Sequence, residues 1–454
     1  MKPLMLITGP VATRSGYGSH SRDLVRSLVK MDRFNIHINS VRWGNTPMNA
    51  LNEDNPDDLI ILDRILKSPQ LDRQPDVHIH ISVPNEFQPI AKYNIGITAG
   101  IENTAPKVEW IQGMNRMNMN IVPSKFAKGI FDKVVYEEVN DQTKQKTGEL
   151  KCTSPIEVLF EGADTNIYKK TNKISDELKV EMDKISERFV FLYTGHWLQG
   201  DLGQDRKDTG MLVRTFYETF KKTVNPPALL MKTSGATFSV IDREEIISKI
   251  EYVKSTMKST DNLPPVYVLH GDLTDEEMNQ MYNHTKVKAH ISFTHGEGFG
   301  RPLLEASLSE KLVIAPDWSG HKDFLNKNNS VLLNGGMAKV HKSALPKEIF
   351  VDGAEWFNVN YQYAAQVMMD VFSSYRRYIM KGKKQAMYNR VNFSLDKMTK
   401  DFGKILDKHL PKFEEQPQAV DLKLPKLKKV GESPLDADKQ NSKPGLKLPK
   451  LKKV

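Results

Sequence analysis

With 454 residues, 39% hydrophobic and 27% charged, the chain is long enough for two or three domains and too apolar for the disordered class. Its single cysteine, Cys152, excludes a disulfide-stapled scaffold and a cysteine-built zinc site, and no run approaches the roughly 20 apolar residues of a membrane span. The formal charge of +9 is uneven: residues 411–454 hold eleven lysines against six acidic residues, leaving only +4 on the other 410, so the folded part is expected to carry no broad nucleic-acid groove.

Leu4–Thr8 predicts a buried strand, because it is short, apolar and stopped by Gly9-Pro10. A glycine-bearing loop follows, Arg14-Ser15-Gly16-Tyr17-Gly18, and then Leu24, Val25, Leu28 and Val29 mark one face of a helix. Further strands are predicted at Phe34–Ile38, Val77–Ser82, Ile95–Thr98, Asn120–Val122 and Ile156–Phe160, with a short helix over Lys125–Phe131 capped by Ser124. Residues 166–187 are polar, lysine-rich and without strand signal, and read as an interdomain linker. The alternation then restarts: strands at Phe189–Thr194, Ala228–Lys232, Val266–Leu269, Val287–Phe293 and Leu312–Ala315, with helices between them. Such alternation predicts parallel sheets built from crossover units, and the restart predicts two of them. The expected division is 1–165 and 188–355 for two α/β domains, 356–410 for helices, and 411–454 for a disordered tail in which Leu422–Val430 recurs unchanged as Leu446–Val454. That duplicated nonapeptide suits a DNA or protein partner, or simply a solvated basic tail.

The chemistry concentrates in Phe293-Thr-His-Gly-Glu-Gly-Phe-Gly-Arg-Pro-Leu-Leu-Glu305. Glycines at 296, 298 and 300 let backbone amides approach a ligand, Pro302 suits the first turn of a helix, and that helix start favours an anion such as a diphosphate. Glu297 in the loop and Glu305 one turn into the helix are placed to accept hydrogen bonds from hydroxyls of one ligand, as a ribose or pyranose requires. An ordinary glycine turn before a helix has the same local pattern.

The wider sequence resembles the retaining glycosyltransferases of the GT-B fold, family four. The resemblance rests on Gly296-Glu-Gly-Phe-Gly-Arg-Pro-Leu-Leu-Glu-Ala306, on Glu102, Pro106, Trp110, Asn115 and Val122-Pro-Ser124, on Glu161-Gly-Ala-Asp164, and on Phe191-Leu-Tyr-Thr-Gly195 followed by Arg206-Lys207, in that family's order. It implies two Rossmann-like, doubly wound domains facing a cleft, with the late helices returning to the N-terminal domain. It implies that Glu297 contacts the donor sugar, that Glu305 binds the nucleotide ribose, and that amides of Gly298, Phe299 and Gly300 meet sugar and phosphate. Arg206 and Lys207 would neutralise the leaving diphosphate. Many members carry Arg directly after the strand-ending glycine, whereas this chain has His196 there and reaches Arg206 about ten residues later. Lys232 and His295 are added candidates for donor contact, and Arg14, Gly16, Tyr17 and Glu102 for the acceptor side of the cleft.

The resulting expectation is a retaining, metal-independent transferase with no cofactor beyond its nucleotide-sugar donor. The acceptor hydroxyl belongs to a saccharide, a lipid-linked sugar or a protein. The alternatives are a viral-type DNA base glycosyltransferase and a non-catalytic scaffold that recruits partners through the tail repeats. The expected location is cytoplasmic, in the host if the protein is viral, without integral membrane association. His78 and His80 share a strand face and read as packing rather than metal ligation, as does the Met-rich 113–119 segment. His270 and His290 end strands near the cleft. Asp436-Ala-Asp438 resembles a metal signature but lies in the tail.

Overall fold

The computed structural model describes residues 2–413 except 69, 141, 236 and 345–350. The tail repeats and Asp436-Ala-Asp438 therefore lie outside the described residues. In the first half, strand β1 (Leu4–Gly9), helix α1 (Gly16–Met31), β2 (Asn35–Ser40), α2 (Pro56–Leu62), β3 (Val77–Ile81), β4 (Tyr93–Ile97), α3 (Val108–Asn115), β5 (Met119–Val122) and α4 (Lys125–Lys133) follow one another. Next come β6 (Val135–Val139), β7 (Lys146–Lys151) and β8 (Ile156–Val158). Six of these strands form one parallel sheet in the order β2-β1-β3-β4-β5-β8. β6 and β7 make a separate antiparallel hairpin. That hairpin gives little sequence signal because most of its residues, such as Glu137, Glu138, Lys146 and Glu149, are polar and exposed, and only Tyr136 and Leu150 pack on the core.

The second half contains α5 (Asp176–Asp183), β9 (Val190–His196), α6 (Thr209–Phe220), β10 (Ala228–Ser234), α7 (Val240–Ser255), β11 (Val266–Leu269), α8 (Asp275–Asn283), β12 (Val287–Ile291), α9 (Arg301–Leu308), β13 (Leu312–Pro316) and β14 (Val331–Leu333). Its sheet is also fully parallel, in the order β11-β10-β9-β12-β13-β14. An antiparallel pair, β15 (Gly335–Lys339) with β16 (Glu355–Val359), forms a separate two-stranded sheet, and α10 (Tyr361–Ser373), α11 (Ile379–Asn392) and α12 (Leu395–His409) close the described chain.

Both sheets are covered by helices on both faces, which is why strands such as β1, β3 and β13 are uniformly buried runs rather than alternating ones. The stretch read as a linker is partly structural. Within it, Tyr168, Leu178, Met182 and Ile185 are buried against Val190, Leu192 and Leu230 of the second sheet.

The segment 356–410, expected as helices packing back on the N-terminal domain, divides. It opens with β16. The Phe189 ring on α10's side meets Phe372 at 5.3 Å, and α11 packs on α9 and β13. Of its helices, α12 alone lies on the first domain, where Met398, Phe402 and Leu406 join the core of Leu24, Leu28 and Ile38. The apolar spacing of α12 defines a buried face, but which sheet receives that face is a tertiary matter.

His78 and His80 are spent inside the first domain. His78 Nε2 pairs with Thr8 Oγ1 at 3.0 Å, and His80 Nδ1 accepts from the Gln88 amide at 3.2 Å. Met114, Met117 and Met119 are core residues. His290 is buried with Nε2 2.7 Å from Thr194 Oγ1, and His270 Nε2 lies 2.7 Å from Asp242 Oδ2.

Candidate active site

The carboxyl ends of β9 and β12 face the first domain, the side where open α/β sheets place their ligands. The loop after β12 carries His295 to Gly300 into α9, whose N-terminal residue Gly300 sits at φ +98° and offers no side-chain cap. Gly296 and Gly298 are required by contact across the domains: a Cβ on either would collide with the carbonyl oxygen of Glu102 or Ala99. Ser124 Oγ donates to the Gly298 carbonyl at 2.6 Å, and the Lys125 amide donates to Asp323 at 2.8 Å. The two sheets therefore meet at this loop.

Glu297 is buried and ion-paired through Oε1 to Lys207, while Arg206 lies 3.7 Å from its Oε2 and 3.5 Å from Glu102. Burial pushes the Glu297 carboxyl up, but Lys207 and Arg206 outweigh it and hold it at about 2, so Glu297 is ionised at neutral pH. Burial pulls Lys207 down. For Arg206, Glu102 and Glu297 overcome burial and hold the guanidinium charged. The long loop after β9 reaches this place because it is pinned: the His295 amide donates to the Arg206 carbonyl at 2.9 Å, and Trp197 is buried beneath the loop among the residues of α6. Arg206 and Lys207 thus occupy the cleft despite their distance in sequence from Gly195.

Glu305 is buried on α9 and receives Arg301 Nε at 2.8 Å. Arg301 Nη1 donates in turn to Asp23 of α1 at 2.5 Å, so one guanidinium joins both domains. Glu161 is buried beside this group, and burial raises its carboxyl to about 7. Arg301 lies within the motif yet has no assigned role in the sequence reading. Asp23 gives no local signal, because a buried acid on a helix is recognised only by the cation opposite it.

Several expected contacts are placed differently. His295 is fully buried and is not a sugar contact in this arrangement. Its ring stacks on Trp356 at 4.2 Å, with Nδ1 2.9 Å from the Phe357 carbonyl and Nε2 3.2 Å from that of Gly203. It braces the loop instead. Tyr17 is likewise occupied: it stacks on Trp43 at 3.9 Å, and its hydroxyl binds Thr98 Oγ1 and the Ala99 amide, each at 3.0 Å. Arg14 pairs with Asp272 across the cleft at 2.6 Å rather than facing an acceptor. Lys232 is turned to the Gly271 carbonyl at 2.6 Å, beside the Phe238 ring. Phe299 packs its side chain on Phe324, which leaves only its backbone at the loop. Gly16 is exposed, with open space where a Cβ would stand. Glu102 remains partly exposed, and with Arg206, Pro106, Trp110 and Trp356 it lines a small, mostly apolar pocket.

No family model and no curated protein sequence matches the chain. Solved structures do match. HepE from Anabaena, determined in complex with UDP and glucose, superposes with a TM-score of 0.54 at 11% identity, over 89% of this chain and 100% of that one. A glycosyltransferase from Rickettsia africae gives 0.59 at 16% identity, over 90% and 99%. Sucrose-phosphate synthase from Thermosynechococcus elongatus gives 0.58 at 11% identity, also over 90% and 99%. At these identities the likeness is one of fold. Two six-stranded parallel sheets joined at a glycine loop, with a last helix returning to the first sheet, give this chain the GT-B architecture of the glycosyltransferases.

Proposed function

We propose that the protein is a glycosyltransferase that moves a sugar from a nucleotide-diphosphate donor to an acceptor hydroxyl. The carrying observation is the buried group of Glu297, Lys207 and Arg206 at a glycine loop between two parallel sheets. Its electrostatics suit the reaction. The anomeric carbon becomes electron-poor in the transition state while negative charge grows on the departing diphosphate. Two cations in a water-poor site stabilise that charge. The uncapped start of α9 adds backbone N–H groups on the same side.

Ionised Glu297 accepts hydrogen bonds from donor-sugar hydroxyls as the phosphates draw Lys207 away from it. Glu305 receives the ribose hydroxyls, its orientation set by Arg301. The crossing contacts Arg301–Asp23 and Arg14–Asp272 close the two domains over the donor and exclude water. With Lys207 and Arg206 supplying the positive charge, turnover is expected to persist in EDTA. Retention of anomeric configuration follows from the family resemblance, with the donor phosphate as base toward the acceptor. A saccharide, lipid-linked sugar or protein hydroxyl would enter beside Glu102 and Arg206. HepE, whose structure holds UDP and glucose, supports a uridine nucleotide as the first donor to try.

The test is a thermal-shift panel of nucleotide sugars, followed by product analysis with an NMR assignment of the new anomeric bond. Glu305→Ala is expected to abolish nucleotide binding. A wild-type response to every donor, or to none, from both proteins overturns the reading.

A further inference from the structure

Helix α11 is anchored through its inner face. Gly382 sits so close to Glu310 that a Cβ would strike that carbonyl oxygen. Gln385 donates to the Phe324 carbonyl at 2.7 Å, and Asn389 donates to Ser307 of α9 at 2.7 Å. The opposite face is left to solvent. There Met380, Met387 and Val391 align in one stripe, two and then one further turn along, and are 56%, 67% and 71% exposed. Lys383 and Arg390 flank the stripe on one side and Lys384 on the other.

The charge around the stripe is of one sign. From Val371 to Ser394 the chain has six basic residues, Arg376, Arg377, Lys381, Lys383, Lys384 and Arg390, and no Asp or Glu. Arg377 reaches Asp370 only at 3.9 Å, and Lys381 donates to the Asn328 carbonyl. The other four make no ion pair among the described residues. Helix α7 shows that this is not a general habit of the surface. It also exposes Val240, Ile241 and Tyr252, but it sets Glu244, Glu245 and Glu251 among its basic residues.

We infer that the outer face of α11 docks on an anionic lipid surface. Nucleic acid would use the cations but gain little from exposed methionine and valine. A bilayer with acidic headgroups uses both: the cations meet lipid phosphates while the stripe enters the boundary between headgroups and acyl chains. The inference is independent of the proposed reaction, because it concerns a face remote in sequence from Glu297 and Lys207.

The test uses the full chain and sedimentation with phosphatidylcholine vesicles, with or without about one-third phosphatidylserine. The wild type is expected to prefer the acidic vesicles. Met380→Ser/Met387→Ser/Val391→Ser, which keeps every charge, is expected to lose about tenfold in affinity for them, with unchanged melting and unchanged binding of duplex DNA. Lys383→Gln/Lys384→Gln/Arg390→Gln is expected to lose more, roughly fivefold per cation. Three results overturn the inference: equal binding to both vesicle types, wild-type vesicle binding by the serine variant, or a glutamine variant that loses DNA binding while keeping vesicle binding.

Discussion

The two domains each carry a strand, a glycine loop and a helix in succession, and they use them differently. After β1, Ser15 caps α1 by accepting from the Gly18 amide at 3.0 Å, and a Cβ on Gly18 would strike the Thr13 carbonyl of its own loop. The glycine there serves a local turn. After β12, the helix start has no cap, and Gly296 and Gly298 are needed because the other domain's backbone lies against them. One loop is closed on itself. The other has no side-chain cap and is shaped by its partner domain. Equal sequence patterns can therefore serve stability in one place and assembly of a site in another.

The largest expected effect comes from removing the charge that faces the second loop. Lys207→Ala should lower kcat by about 10²–10³, the usual cost of one group that stabilises transition-state charge, with folding retained. Single-turnover rates with saturating donor would measure it, and a loss confined to KM would assign Lys207 to ground-state binding. A pair of glycine substitutions breaks the comparison more directly. Gly18→Ala should lower stability by about 1–3 kcal/mol through overpacking inside one domain. Gly298→Ala should instead keep the two domains apart, cutting kcat/KM at least about tenfold with a smaller change in melting temperature. If both variants behave alike in melting and in rate, the two loops do not differ as described.

A third expectation concerns pH. The Glu161 carboxyl titrates at about 7 in the folded protein against 4.5 ordinarily. As pH rises, the unfolded chain releases this proton first, so Glu161 takes stability away between about pH 4.5 and 7. Glu161→Gln should flatten that part of the melting-temperature profile and raise stability above it. The smallest effect belongs to Arg14–Asp272, a partly exposed pair. Arg14→Gln should change stability by roughly 0–1 kcal/mol, read by denaturant titration, with its larger consequence in a raised KM for the donor.

Much of the architecture was legible because parallel sheets announce themselves. Strands covered on both faces must be continuous apolar runs, as Phe191–Tyr193 and Leu312–Ala315 are, and helices between them show one apolar face. Glu297 and Glu305 were legible for a related reason: a glycine loop leading into Pro302 fixes where those carboxylates can stand. The hairpin of β6 and β7 was not, since most of its cross-strand pairs are exposed and polar, and the one pair that packs on the core, Tyr136 with Leu150, is too little for an apolar pattern.

The roles of His295, Tyr17 and Arg14 separate the two levels of information most clearly. Their residue types suited ligand contact, and their positions beside glycine loops were correct. Their partners, the Phe357 and Gly203 carbonyls, Thr98 and Asp272, lie between 62 and 258 residues away along the chain, by separations that no local pattern encodes. The sequence by itself determined two parallel α/β domains and a glycine loop with two glutamates. Only the tertiary structure decided that Arg206 and Lys207 return to Glu297, that Arg301 ties Glu305 to Asp23, and that α12 alone crosses to the first sheet. Local pattern reports which groups must be buried or satisfied, whereas the identity of the satisfying partner is set by long-range packing.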